Sequence, residues 1–425
     1  MSLPFLILYF YLMNFIYNIL VHIAYGIIHF LSLFNQKLQL FIKGRKETFK
    51  KLSVIQSTDK TIWIHTASLG EFEQGRPIIE SLKNTYPTHK IIVTFFSPSG
   101  YEIRKNYALA DVICYLPFDT KKNMQNFVRA IQPELAIIVK YEFWPNLLSQ
   151  LKKEGIKTIL VSGIFREKQL FFKPYGKWMR SFLTAFDHLF VQNENSKKLL
   201  NTINYNNVTV SGDTRFDRVY EILQQDNTLD FINEFKYNTY TVVAGSTWKE
   251  GEELLVNYIN EHASENEKFI IAPHTINSKK INELRNSILK KTILYSERNQ
   301  VDLKEYQVFI IDTIGLLTKV YSYANAAYVG GGLLTGLHNI LEPATFGIPV
   351  VFGGNNYTKF QEANDLIRLK GSKAITNQHE FNSIFTTLKQ DVNVRTTMGK
   401  TCGDYVKNNT GATQLILNYI NNLFQ

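Results

Sequence analysis

The feature that most constrains this chain is an alternation. Short β-branched and apolar runs, each followed by a segment with helical spacing, recur from residue 61 to residue 375. In the first half, Thr61–His65, Lys90–Phe95, Val112–Leu116, Leu135–Val139, Thr158–Val161, His188–Val191 and Val208–Val210 read as strands. In the second half the strands fall at Tyr240–Ala244, Lys268–Ala272, Thr292–Tyr295, Val308–Ile310, Ala326–Val329, Pro349–Phe352 and Lys373–Ile375. Between them, segments such as Trp144–Glu154, Glu194–Thr202, Glu252–His262 and Lys359–Leu369 place apolar residues about 3.6 apart, as helices do. Such alternation gives parallel sheets with helices on both faces, an α/β class. At 425 residues the chain exceeds one compact core, so two Rossmann-like domains are expected. They are 37–223 and 239–425, joined by the polar stretch 224–238, with the terminal helix a candidate to pack back on the first. Two doubly wound domains would leave a cleft at the carboxyl ends of their sheets, where ligands bind.

The first thirty-six residues contain no Asp, Glu, Lys or Arg, and Leu3–Phe34 is almost wholly apolar. About 20 apolar residues suffice for a helix to cross a bilayer, so 1–36 is expected to be a membrane anchor. A single spanning helix fits, and so does a pair of amphipathic helices in the interface, given Asn14, Asn18, His22 and His29. A secretory signal is disfavoured, because a basic n-region and a small-residue cleavage site are both missing. Lys37, Lys43, Arg45, Lys46, Lys50 and Lys51 follow directly. Such a collar favours the cytoplasmic side and attracts anionic headgroups, which predicts the inner membrane with the domains facing the cytoplasm. The net charge of +10 admits nucleic acid, anionic lipid or a phosphorylated substrate. No nucleic-acid-binding motif accompanies it, so no nucleic acid partner is expected. The two cysteines, Cys114 and Cys402, can build neither a disulfide framework nor a zinc site, as in a reducing compartment.

The chemistry-bearing segments lie where strands end. In Tyr328–Ala344 a strand runs into Gly330, Gly331 and Gly332, and a helix is expected to start near His338 and Asn339. Glycines let backbone approach a phosphate, a helix start supplies free N–H groups, and Glu342 is placed to accept from ribose hydroxyls. The bland reading is a tight turn. In Thr61–Glu73 the strand is followed by Ser68, Gly70 and Glu71, and Glu71 could be either a reacting carboxylate or a first-turn carboxylate of the next helix. Thr94–Gly100 places Ser97 and Ser99 after the next strand, on the same sheet edge. Tyr141–Asn146, Ser211–Asp217, Ala244–Glu253 and Ala272–Thr275 share this character and contribute Glu142, Arg215, Ser246, Thr247 and His274. Arg215 and Lys249 could neutralise a phosphate or be ordinary surface charges.

Taken in order, these segments resemble the Kdo transferases, which add 3-deoxy-D-manno-oct-2-ulosonic acid (Kdo) to lipid A precursors. Trp63–Glu71 is similar to the family's Ser-x-Gly-Glu element, Glu142-Phe-Trp-Pro-Asn to its Glu-Leu-Trp-Pro-Asn, and Ser211–Asp217 to Gly-x-x-Lys-Phe-Asp with Arg215 in the Lys place. Gly245–Glu253 is similar to Ser-Thr-His-Glu-Gly-Glu-Glu with Trp248 replacing His, and His338-Asn-Ile-Leu-Glu-Pro-Ala to His-Asn-Pro-Leu-Glu. The resemblance implies a GT-B fold, a CMP-Kdo donor, a lipid A precursor as acceptor, inversion at the anomeric carbon and no bound metal or cofactor. It implies Glu71 as general base, with His338, Asn339 and Glu342 holding the donor. Gly331, Gly332, His274, Ser246 and Thr247 are further donor candidates, and Ser97, Ser99, Glu142 and Arg215 are candidates for the acceptor or a phosphate. The chain departs from the family at Ala272-Pro-His-Thr, which lacks an Arg, at Leu316 and Lys140, each in a Glu place, and at Ser162-Gly-Ile-Phe-Arg. Other readings of the same scaffold are a membrane-associated transferase of a UDP-sugar, a nucleotide-sugar epimerase, and a non-catalytic membrane adaptor.

Overall fold

The computed structural model describes residues 3–424. The chain divides into two compact units, 1–218 with 410–425, and 219–409. Each holds one seven-stranded parallel sheet, and all fourteen strands form at the places the apolar runs predict.

In the first unit the strands are β1 (Thr61–Thr66), β2 (Lys90–Phe95), β3 (Val112–Tyr115), β4 (Leu135–Val139), β5 (Lys157–Gly163), β6 (His188–Val191) and β7 (Val208–Val210). Their order is β3-β2-β1-β4-β5-β6-β7. Successive side chains of a strand point to opposite faces, so a strand buried on both sides must be apolar throughout. Leu135, Ile137 and Val139 of β4 join Ile62 and Ile64 of β1 in one core layer. Ala136 and Ile138 join Trp63 in the other. The terminal helix Ala412–Phe424 buries Ile416 and Ile420 in the first of these layers. Asp217 fixes its start, accepting from the Thr413 amide at 2.7 Å and the Thr413 hydroxyl at 2.6 Å.

In the second unit the strands are β8 (Tyr240–Thr247), β9 (Glu267–Pro273), β10 (Thr292–Leu294), β11 (Val308–Ile310), β12 (Ala326–Val329), β13 (Val350–Gly353) and β14 (Ser372–Ile375). The order is β10-β11-β9-β8-β12-β13-β14. The stretch 224–238 is not a linker throughout. It contains the helix Asp230–Lys236, whose Ile232 and Phe235 are fully buried beside Val243, Ile270 and Phe309. Two apolar residues three apart are enough to seat one short helix, and too few to show as a period in a polar sequence.

The apolar N-terminus is one helix, α1 (Leu3–Leu31), not a pair. Its stretch Ile7–Leu31 is long and apolar enough to cross a bilayer. Asn35 then caps α2 (Gln36–Lys46), accepting from the amides of Lys37 and Leu38, and α3 (Thr48–Leu52) follows. Arg45 departs from the collar reading. It is buried, lies 3.5 Å above the Phe41 ring and donates to the carbonyls of Phe41 and Phe96. Burial brings its pKa down to about 9. Lys37, Lys43, Lys46 and Lys50 are exposed.

Candidate active site

In an open parallel sheet, ligands bind beyond the carboxyl ends of the strands where the order reverses. In the first unit that point lies between β1 and β4, and in the second between β8 and β12. Most of the predicted site residues are at the ends of these four strands and their neighbours or just beyond them; Arg215 follows the edge strand β7. Lys140, Ser162 and Ser246, at the ends of β4, β5 and β8, all take positive φ (75°, 52° and 52°), a conformation costly for residues with a Cβ.

In the first unit, β1 turns through Ser68 into α4 (Leu69–Thr85). Glu71 sits in its first turn and is only 6% exposed. It does not cap the helix. Instead the Ser68 hydroxyl donates to its Oε2 at 2.6 Å. The loop after β2 is pinned alongside, because the amides of Phe96 and Ser97 both donate to the Ala67 carbonyl. Ser97 caps the next helix through the Ser99 amide, and the two hydroxyls are 2.8 Å apart.

Glu142, on the loop after β4, is more tightly held. The Trp144 indole donates to it at 2.7 Å, and His65 Nε2 stands 3.7 Å away, in ion-pair range rather than hydrogen-bond range. Burial alone would raise its pKa, but His65 and Trp144 outweigh that and hold it below the usual carboxylate value. The Tyr141 phenol is pushed up by burial and then by the charges of Glu71 and Glu142, with Arg166 opposing. Tyr141 and Arg166 were not singled out as site candidates from the sequence. Only the fold brings Tyr141 within reach of the Glu71 charge.

Arg215 is not placed as a free phosphate ligand. Its Nε and a terminal nitrogen both lie 2.9 Å from Asp213, which is buried and also accepts from Gln74 at 3.0 Å. Burial would raise Asp213, yet Arg215 and Gln74 keep it low. Gln74 is one helical turn beyond Glu71, so this network fixes α4 from behind.

In the second unit, Gly331 and Gly332 take φ of 83° and 82°. The space a Cβ would need is filled by backbone: a Cβ on Gly331 would meet the Gly336 carbonyl at 2.2 Å, and one on Gly332 the Gly353 carbonyl at 2.2 Å. The Gly332 amide is already bonded to the Thr335 carbonyl at 3.0 Å. These glycines pack the loop against its own backbone and the end of β13. The following helix is also shorter and later than expected, Leu341–Thr345.

What this loop presents is an aromatic and amide cluster. The Trp248 indole donates to His338 Nε2 at 2.7 Å, Trp248 stacks on His274 at 4.6 Å, and His274 stacks on His338 at 4.4 Å. Burial, aided by His274, lowers the His338 pKa to about 4, and burial lowers that of His274 too. An indole N–H is only a donor, so Nε2 must be the acceptor and Nδ1 carries the proton. Glu342 accepts from Asn339 at 3.1 Å and from Thr318 at 3.0 Å. Thr247 is buried, and its hydroxyl donates to Glu252 at 2.7 Å. Ser246 is half-buried near the end of β8, its carbonyl against Gly330. A cavity of 520 Å³ beside the helices Lys249–Glu261 and Ser278–Ser287 includes Thr247 and Trp248 in its wall, but none of His274, His338, Asn339 or Glu342. Of the cluster, Trp248 alone lines this cavity.

Residues 42–218 match the family described as 3-deoxy-D-manno-octulosonic-acid transferase (kdotransferase). The 3-deoxy-D-manno-octulosonic acid transferase of Aquifex aeolicus is 29% identical over 325 residues, 76% of this chain and 82% of that protein. The chain is thus similar to Kdo transferases over most of its length. It is also 24% identical over 372 residues to a bifunctional glycosyltransferase/methyltransferase of Fusobacterium nucleatum. That match covers 83% of this chain and 57% of that protein, so the chain spans little more than half of that relative. Among solved structures, the UDP-GlcNAc 2-epimerase of Neisseria meningitidis bound to UDP-GlcNAc superposes with a TM-score of 0.59 at 14% identity, over 85% of this chain and 99% of that one. At that identity the likeness is one of fold, and the fold is GT-B type. The chain is a glycosyltransferase.

Proposed function

We propose that this chain transfers Kdo from CMP-Kdo to a lipid A precursor, with inversion, at the cytoplasmic face of the inner membrane. The observation that carries the proposal is Glu71: a buried carboxylate at the reversal point of the first sheet, oriented by Ser68, in a chain similar to Kdo transferases over most of its length. In this reading Glu71 takes the proton of the acceptor hydroxyl while that oxygen bonds to the anomeric carbon. The bond from that carbon to the phosphate oxygen breaks, and CMP leaves as the anion. A positioned general base is worth about 10²–10⁴ in rate, and holding the reactants in line supplies about 7–11 kcal/mol. Glu342, Asn339 and the Nδ1–H of His338 hold the donor. His338 is neutral at pH 7 and acts as a hydrogen-bond donor, not as a cation. A membrane-embedded, phosphorylated acceptor accounts for the apolar α1 and the exposed lysines that follow it.

The test is transfer of labelled Kdo from CMP-Kdo to a tetra-acylated, bis-phosphorylated lipid A precursor, with free CMP and UDP as competitors. Labelled lipid product, suppressed by CMP and not by UDP, is the expected result. Suppression by UDP alone, with no Kdo transfer, would replace the reading with a UDP-sugar transferase.

A further inference from the structure

Along its whole length, one face of α1 is fastened to the first unit. Tyr9 donates to the Tyr175 carbonyl at 2.9 Å, and the Trp178 indole donates to Asn14 at 2.9 Å. Tyr17 donates to the buried Asp119 at 2.7 Å, and Asn146 donates to Asn18 at 3.1 Å. Further on, the Tyr25 ring meets Phe118 edge-on at 4.7 Å, Ile28 packs on Phe41 and Phe118, and Ser32 is buried. The contacts also include Phe10 and Met13 on the first unit's core, and residues 10, 14, 17, 25, 28 and 32 follow one another three, four or eight apart, which is one face of a helix. From Tyr9 to Ser32 they cover about 35 Å at 1.5 Å per residue, more than the roughly 30 Å hydrocarbon core.

The opposite face is bare. Leu8, Leu12, Phe15, Ile19, Ile23 and Phe30 are between 43% and 62% exposed, and no charged residue interrupts them. At its end stand the exposed Lys37, Lys43, Lys46 and Lys50. Exposed Tyr175 and Leu170 lie beside the Tyr9 contact, with Lys173 and Lys177 close by in sequence.

We infer that α1 is an in-plane anchor: it stays docked on the first unit and sinks its outer face into one leaflet of an anionic phospholipid bilayer, without crossing it. This rests on the membrane reading above and gives it an orientation. A crossing helix would have to leave its dock. Asp119, Asn146 and Trp178 would then lose their α1 partners, and Asn14, Tyr17 and Asn18 would carry their polar groups into hydrocarbon without them, which is costly. Docked, those polar groups are bonded to protein, and the stripe from Leu8 to Phe30 that meets lipid is apolar. The lysines fit the occupant, since cations beside an apolar face bind anionic headgroups.

Both native cysteines are buried, so single introduced cysteines report cleanly. The full chain with S2C or K43C is placed in sealed inverted and right-side-out membrane vesicles and treated with a membrane-impermeant maleimide. Labelling of both positions from the same side is expected, and labelling from opposite sides overturns the inference. In the same membranes, N18C/N146C should be joined by a short bis-maleimide, whereas an undocked helix would give no crosslink. A separate flotation assay uses vesicles containing about one third phosphatidylglycerol. Failure to float would overturn the membrane reading itself. A soluble dimer that does not float would assign the bare face to a second copy.

Discussion

Both sheets are seven-stranded and parallel, though their strand orders differ, and both carry candidate residues at the carboxyl ends of their strands, yet the chemistry there differs. In the first unit the reversal point carries carboxylates, and the one proposed to react is the least encumbered: Glu71 has Ser68, while Glu142 is held by Trp144 and His65. In the second unit the corresponding place is saturated. Glycine backbone fills its own loop, Thr247 is spent on Glu252, and His338 is held by Trp248. A base must be free to gain a proton, whereas a donor pocket gains from groups already fixed in place before the ligand arrives. The contrast assigns chemistry to the first unit and binding to the second, and each assignment can be broken.

The largest expected effect is at Glu71. Glu71→Gln should lower turnover by about 10²–10⁴ while CMP affinity and membrane association stay unchanged. Gln still accepts from Ser68, so melting should fall by no more than about 2–4 °C. Glu73→Gln is the control. That residue is paired with Arg104 at 2.7 Å and with Arg76 at 3.8 Å, partly exposed pairs worth about 0–1 kcal/mol, so turnover should persist. Near-wild-type transfer by Glu71→Gln at saturating donor and acceptor would move the base to Glu142 and undo the comparison.

Next in size is Glu342→Ala. Charge-assisted hydrogen bonds contribute roughly 1.5–3 kcal/mol, so calorimetry should show CMP bound at least about tenfold more weakly. Unchanged affinity in a folded variant would mean that Glu342 has a structural role only.

His338 gives a pH dependence with a definite sign. Its folded pKa, about 4, lies below the ordinary 6.5, so the unfolded chain takes up this proton first as pH falls. The stability it contributes is present above about pH 6.5 and is lost between there and about pH 4. Wild type should therefore lose melting temperature across that window faster than His338→Gln does. Parallel melting curves across the window would show that His338 is not held neutral.

Much of the framework was legible because a strand buried on both faces leaves a continuous apolar run, as Leu135–Val139 does. The strand-end loops were legible as motifs because loop chemistry is local. What could not be read depends on distance in the sequence. Trp248 meets His338 ninety positions away, and Gln74 meets Asp213 across 139. At Gly331 and Gly332 sequence shows the missing side chain, not the backbone that fills its place. Arg45 looked like part of a solvated collar because a run of basic residues does not reveal which one turns inward over Phe41.

The smallest effect sharpens the binding side of the comparison. Trp248→Phe keeps a ring to stack on His274 but removes the only proton that the indole offers to His338 Nε2. The imidazole is then free to exchange tautomers, and binding must select the form with the proton on Nδ1. A hydrogen bond of this kind contributes about 0.5–1.5 kcal/mol, so CMP affinity should fall by roughly two- to twelvefold, less than for Glu342→Ala. Turnover at saturating donor should hold, because Trp248 positions a binding group and does not touch the proton in flight. The deciding measurement is the nitrogen chemical shifts of the His338 ring. In wild type Nδ1 should be protonated and Nε2 bare, and in Trp248→Phe the two should move toward an average. A wild-type ring protonated on Nε2 would contradict the indole bond, and with it the view that the second unit presents a preset donor to its ligand.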